Sequence, residues 1–125
     1  MTRLIAALIC ITFAAGHALA DQAQRIVIAG GDLAEIAFAL GAGDRVIAVD
    51  STATYPAEAS EKEQIGYVRR LSAEGVLSLT PDLLIAAHDA GPPLALDQIM
   101  AAGVPVLTGP ALEGADAVAA KIRFM

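Results

Sequence analysis

Residues 25–50 read RIVIAGGDLAEIAFALGAGDRVIAVD. The stretch opens and closes on short apolar runs, RIVIA at 25–29 and RVIAVD at 45–50, each of β type. Gly30-Gly31 ends the first run, and Asp32 is placed to cap a helix with Glu35 three positions on as its capping-box partner. Ile36, Leu40 and the intervening Phe38 and Ala39 supply apolar faces, and Gly41 is a C-terminal stop. Strand, helix and strand in this order, with continuous apolar strands, predict a parallel sheet covered by helices.

The rest of the chain continues the alternation. Residues 51–66 form a longer irregular connection with Pro56 and a solvated charge cluster at 58–63. Ser72 caps a short helix running through Leu79, and Pro81-Asp82 marks its end. LLIAA at 83–87 is a third strand, and its lack of alternation predicts burial on both faces. Gly91-Pro92-Pro93 breaks it, a helix follows over 94–102 with Gly103 as its stop, and a fourth strand covers 104–107. A last helix runs from Glu113 to Arg123, and residues 121–125 (KIRFM) carry no stop signal, so this helix is expected to be interrupted.

Residues 1–20 are expected to lie outside the fold. Arg3 provides a positive start, residues 4–15 (LIAALICITFAA) are unbroken apolar, and Ala18-Leu19-Ala20 matches the small-x-small site of signal peptidase. This is a secretory signal peptide with mature residues 21–125; the apolar run falls short of the roughly 20 residues needed to span a bilayer, so no stable membrane insertion is expected. The single cysteine, Cys10, leaves with the leader, so neither a disulfide framework nor a thiolate metal site is expected. The net charge is −6 before Arg3 is lost. No basic stripe marks a nucleic-acid partner, and acidic balance suits contact with basic partner surfaces.

Several clusters invite chemistry. Gly30-Gly31-Asp32 at a strand–helix junction lacks the G-x-G-x-x-G spacing of a dinucleotide loop, and an acidic residue there repels phosphate, so it reads as a tight turn. His88 follows the third strand, where ligands of open α/β sheets bind, but a lone histidine cannot build a zinc site. No G-x-S-x-G elbow or paired acid–base carboxylates mark an enzyme. Residues 66–75, GYVRRLSAEG, hold one of only two tyrosines in a chain without tryptophan. A loop tyrosine is commonly half-buried packing. Beside Arg69, however, Tyr67 can serve as an anionic oxygen ligand. Ferric iron deprotonates its ligands, phenolate is a known axial haem ligand, and the guanidinium can hydrogen-bond the phenolate oxygen.

Residues 25–110 resemble the N-terminal lobe of a periplasmic haemin-binding protein of a bacterial ABC importer. The resemblance is carried by AGGDLAEIAFALGAGDRVIAVDSTATYPAEA at 29–59, IGYVRRLSAEGVLSLTPDLLIA at 65–86 and AGPPLALDQIMAAGVPV at 90–106. It implies an α/β, Rossmann-like lobe with a short parallel sheet flanked by helices, one lobe of a two-lobed class III periplasmic binding protein. It implies Tyr67 as axial ligand to haem iron, Arg69 as its support, and Glu74 as the point where the lobe docks on an arginine of the ABC permease. Arg70 is open between a solvated charge and a haem-propionate partner. The second lobe of such proteins, with its own iron ligand and propionate-gripping arginine, has no counterpart here. His88 is the one candidate for a surrogate ligand.

Three functions remain open at this point. The first is periplasmic binding of ferric haem (haemin) for delivery to an importer. The second is a truncated, non-functional fragment keeping only the fold and the Glu74 docking surface. The third is binding of cobalamin or a ferric siderophore, ligands that do not require a phenolate.

Overall fold

The structure, a computed structural model, describes residues 22–111 and 114–125. Strands β1 (Ile26–Ala29), β2 (Val46–Val49), β3 (Glu63–Gln64), β4 (Leu83–Ala86) and β5 (Val106–Thr108) form one sheet in the order β3-β2-β1-β4-β5. Every neighbouring pair is parallel, and β1 runs in unbroken register with β4 from Ile26 opposite Leu83 to Ala29 opposite Ala86. The helices are α1 (Gly31–Ala39), α2 (Ala57–Ser60), α3 (Ala73–Leu77), α4 (Pro93–Ala101) and α5 (Ala115–Phe124).

The two central strands, β1 and β4, are buried at every position. Because successive side chains point to opposite faces, each strand feeds two cores. Ile26, Ile28, Leu83 and Ile85 pack with Leu33, Ala34 and Ala37 of α1, and with Phe124 at the end of α5. Val27, Ala29, Leu84 and Ala86 pack on the other face with Val76 of α3 and with Ala95 and Ile99 of α4. The result is the three-layer α/β lobe expected from continuous apolar strands.

The junction after β1 differs from its expected form. Asp32 does not cap α1: the cap position is Gly30, with φ of 144°, and no side chain caps the helix. The turn is held from β2 instead. The fully buried Asp50 carboxyl accepts from the Gly30 amide at 2.8 Å, from the Thr52 amide at 3.0 Å and from the Thr52 hydroxyl. That hydroxyl in turn accepts from the Gly31 amide at 2.9 Å. With the Gly30 and Gly31 amides so held, the helix starts two residues early. Asp32 then lies in its first turn, accepting from the Leu33 amide and pairing with Lys121 of α5.

Other differences are local. The connection over 51–66 contains α2 and the two-residue edge strand β3, so part of its charge cluster is sheet. The helix capped by Ser72 ends at Leu77, two residues early, and the Gly75 amide donates to the Ser72 hydroxyl at 3.1 Å. The fourth predicted strand is displaced to Val106–Thr108, because the Val104 amide still closes α4 on the Ile99 carbonyl. The signal segment 1–20 and the predicted helix start at Glu113 lie outside the described residues; the last helix is observed from Ala115.

Gly31 tests the junction. A Cβ there would stand 2.3 Å from the Thr52 carbonyl oxygen, a backbone atom that cannot rotate away. Gly31→Ala should therefore lower unfolding free energy by about 1–3 kcal/mol through overpacking, read as a reduced urea midpoint at unchanged m-value.

Candidate functional site

Parallel strands send all their outgoing loops to one edge, where open α/β sheets bind ligands. Here that edge carries Gly30-Gly31 after β1, residues 50–52 after β2, 65–72 after β3 and 87–92 after β4. The close approach is between the loops after β1 and β4: a Cβ on Gly30 would lie 2.9 Å from the Ala87 Cβ. The Gly30 and Gly31 amides already serve Asp50 and Thr52, so this junction offers no free cradle for a phosphate.

The loop 65–72 is built so that its polar side chains face outward. Val68 and Leu71 are buried and anchor it, while Tyr67, Arg69 and Arg70 are exposed. The backbone is tied on both sides. The Ser51 amide donates to the Gly66 carbonyl, the Leu71 amide to the Gly91 carbonyl, and the Gly91 amide back to the Val68 carbonyl, at 2.8–3.0 Å. A tight turn, closed from the Arg70 amide to the Tyr67 carbonyl, carries the ring out at 44% exposure. Tyr67 is thus an exposed phenol on a backbone with little freedom.

The structure brings Arg69 to a partner that the sequence reading left out. Arg69 Nε and Nη2 both donate to Asp89 Oδ2, at 2.8 and 2.6 Å. Hydrogen bonds from Arg69 hold the Asp89 carboxyl below the ordinary aspartate range, against a smaller opposing effect of desolvation. The Asp89 hydrogen bond and charge, followed by the charge of the nearby Tyr67 oxygen, raise the Arg69 guanidinium above its ordinary value. Arg69 and Asp89 therefore form an ion pair at the loop that carries Tyr67. No local signal announces Asp89, which lies 20 residues from Arg69 in the chain. Asp50 was legible in principle: an aspartate ending an apolar strand with Thr two residues on is an Asx-turn pattern.

The remaining predicted residues are dispersed. Glu74 is exposed in the first turn of α3, following the Ser72 cap. His88 is exposed and lines a hollow of about 560 Å³ with Asp32, Glu35, Ile36, Val118 and Lys121, on the α1–α5 side. A larger hollow of about 870 Å³ is lined by Phe38, Tyr55 and Lys62, among others. Tyr67 lines neither hollow; it stands on an open face. Among the described residues no three His, Cys, Asp or Glu converge to hold a bare metal ion.

The profile of the periplasmic binding protein family matches residues 26–119. The chain belongs to this family. A vitamin B12-binding protein of Yersinia pestis (strain Pestoides F) is 33% identical over 87 residues, covering 70% of this chain and 31% of that protein. Among solved structures, a periplasmic heme binding protein from Pseudomonas aeruginosa superposes with a TM-score of 0.73 at 43% identity, over 76% of this chain and 34% of the other. A periplasmic heme-binding protein, RhuT, from Roseiflexus sp. RS-1 superposes with a TM-score of 0.66 at 56% identity, over 68% and 33%. The chain spans about a third of the length of each of these relatives. All three are solute-binding proteins, in agreement with a binding rather than an enzymatic role, and among the described residues no helix is long and apolar enough to cross a membrane.

The Arg69–Asp89 pair has a definite pH signature. The lowered Asp89 value means the pair's stabilisation is fully present above the aspartate's unfolded value and is lost as pH falls through the lower folded one. The raised Arg69 value means the pair persists through alkaline pH, until the guanidinium itself would titrate. Carboxyl-carbon NMR should therefore show Asp89 titrating below an ordinary aspartate, and Arg69→Ala should return it upward.

Proposed function

We propose that this chain takes ferric haem (haemin) in the periplasm for delivery to an ABC importer, with Tyr67 as the axial oxygen ligand to iron. The observation that carries this reading is the exposed, backbone-anchored Tyr67 phenol on the outgoing edge of the sheet, with Arg69 two residues on in the same loop. A phenolate is a hard anionic donor, and the ferric ion supplies most of the charge that displaces its proton. With no carboxylate or histidine cluster beside Tyr67 among the described residues, the other iron positions must be filled by the ligand itself, as a porphyrin does. Identities of 43% and 56% to the two heme-binding structures support the same ligand. Arg70, exposed beside Arg69, is the proposed propionate partner. The leader expected at 1–20 would, in this reading, carry the chain to where such capture is needed.

Glu74 is the proposed docking point for a permease arginine. It is exposed on a short, well-capped helix that carries none of the proposed iron-binding residues. Glu74→Ala should leave haemin affinity as it is and weaken association with permease in reconstituted vesicles, measured by co-flotation.

The 33% identical vitamin B12-binding relative favours a second reading, cobalamin as the ligand. A corrin brings its own cobalt and does not require Tyr67. Parallel titrations of haemin and cyanocobalamin into this chain and Tyr67→Phe separate the readings. The haem reading expects a saturable ferric complex with a phenolate charge-transfer band that disappears in Tyr67→Phe. Saturable cobalamin binding, unaffected by the substitution, would reverse the assignment. No binding of either ligand would leave a fragment that keeps only the fold and the docking surface.

A further inference from the structure

We propose that Asp89 is a positioning residue for the Tyr67 ligand, holding the Arg69 guanidinium in a fixed place beside the phenol. This rests on the haem reading of Tyr67 above and adds to it a residue and a role.

The geometry starts with what holds Arg69. Its side chain is 62% exposed, so packing does not fix it. Arginine side chains have many rotamers, and an unanchored guanidinium must lose that freedom each time it meets an anion. Asp89 removes the freedom beforehand by accepting from Nε and from Nη2 on a single oxygen. A guanidinium has five N–H donors. Two are spent on Asp89, and the rest stay available in a set orientation.

Asp89 is itself placed with little slack. The Ala87 amide donates to the Ala29 carbonyl at 2.7 Å, the Ala90 amide closes a turn on Ala87, and the Gly91 amide donates to Val68. The turn holding Asp89 is therefore pinned to β1 on one side and to the Tyr67 loop on the other. Those backbone bonds already join the two loops, so the ion pair is not needed for joining them. What the pair adds is the position of the guanidinium. Asp89 also balances the guanidinium charge; in the proposed complex the unspent donors of Arg69, held on the loop that carries Tyr67, would give the phenolate oriented hydrogen bonds without a large net positive charge that would weaken it as a donor to iron.

The experiment is a double-mutant cycle read by haemin titration and by the phenolate-to-iron charge-transfer band. It uses this chain, Arg69→Ala, Asp89→Asn and the double variant, with Tyr67→Phe as reference. Asp89→Asn is expected to weaken haemin binding about 10-fold, the lower end for loss of a residue that orients a metal ligand, and to shift the band, with the urea midpoint close to that of the parent. In the Arg69→Ala background the same substitution should change nothing further, and Asp89→Glu should restore part of the affinity and the band. Two results overturn the proposal while leaving the haem reading intact: an unchanged band and affinity in Asp89→Asn, or an equal loss in the Arg69→Ala background. If the parent chain and Tyr67→Phe bind haemin identically, the haem reading falls and the role of Asp89 falls with it.

Discussion

The Asp50 carboxyl group, fully buried at the end of β2, organises the outgoing edge of the sheet, to which the loop of the proposed ligand Tyr67 is tied. An unpartnered polar group at that depth is costly, and one whose hydrogen bonds are all met becomes a strong constraint. Asp50 meets them with the Gly30 amide from the neighbouring strand end and with the amide and hydroxyl of Thr52. The same carboxyl thus ties β1 to β2 at their outgoing ends and determines how α1 leaves the sheet. Only glycine is tolerated at 31, because the chain there passes directly against the Thr52 carbonyl.

From that point order passes outward through backbone bonds. Ser51 follows Asp50 directly and donates to Gly66, which precedes Tyr67. Val68 and Leu71 sink into the core beneath the loop, and Gly91 binds the loop's far side to the turn after β4. An exposed ring would ordinarily be mobile at its attachment. Here the attachment is fixed by backbone bonds and by the buried Val68 and Leu71, while the ring, Arg70 and the donors of Arg69 not spent on Asp89 face outward. This division, rigid backbone with exposed donors, limits the ordering cost at binding.

The electrostatics of the site are local rather than global. The chain as a whole is acidic, yet the face around Tyr67 presents Arg69 and Arg70, with Asp89 setting the first of them. The ligand proposed above, a planar anion bearing a central metal cation, would suit such a face. His88, next to Asp89 in the chain, lines a hollow with α1 and α5 residues, and its charge adds a minor part to the lowering of Asp89. Adjacent residues at a strand end can serve different faces of the sheet.

Much of this was legible before folding is considered. The apolar runs at 26–29 and 83–86, the Ser72 cap, the Gly103 stop and the loop bearing Tyr67 and Arg69 are local features, decided within a turn of helix or a few strand residues. The α/β class follows from their alternation. The two-residue strand β3 was not legible, since Glu63 and Gln64 lack any β signature and are held only by pairing with β2. Asp32 misled as a cap because the helix begins upstream, at Gly30-Gly31, whose amides are held by Asp50 and Thr52, and this leaves Asp32 in the first turn. The sequence by itself determined the central strands, the principal helices and the loop that carries Tyr67. Only the tertiary structure decided that Asp50 meets Gly30 and that Asp89 meets Arg69. Each of these pairs is 20 residues apart in the chain, and the partners meet only because parallel strands deliver their loops to one edge, with β4 inserted beside β1.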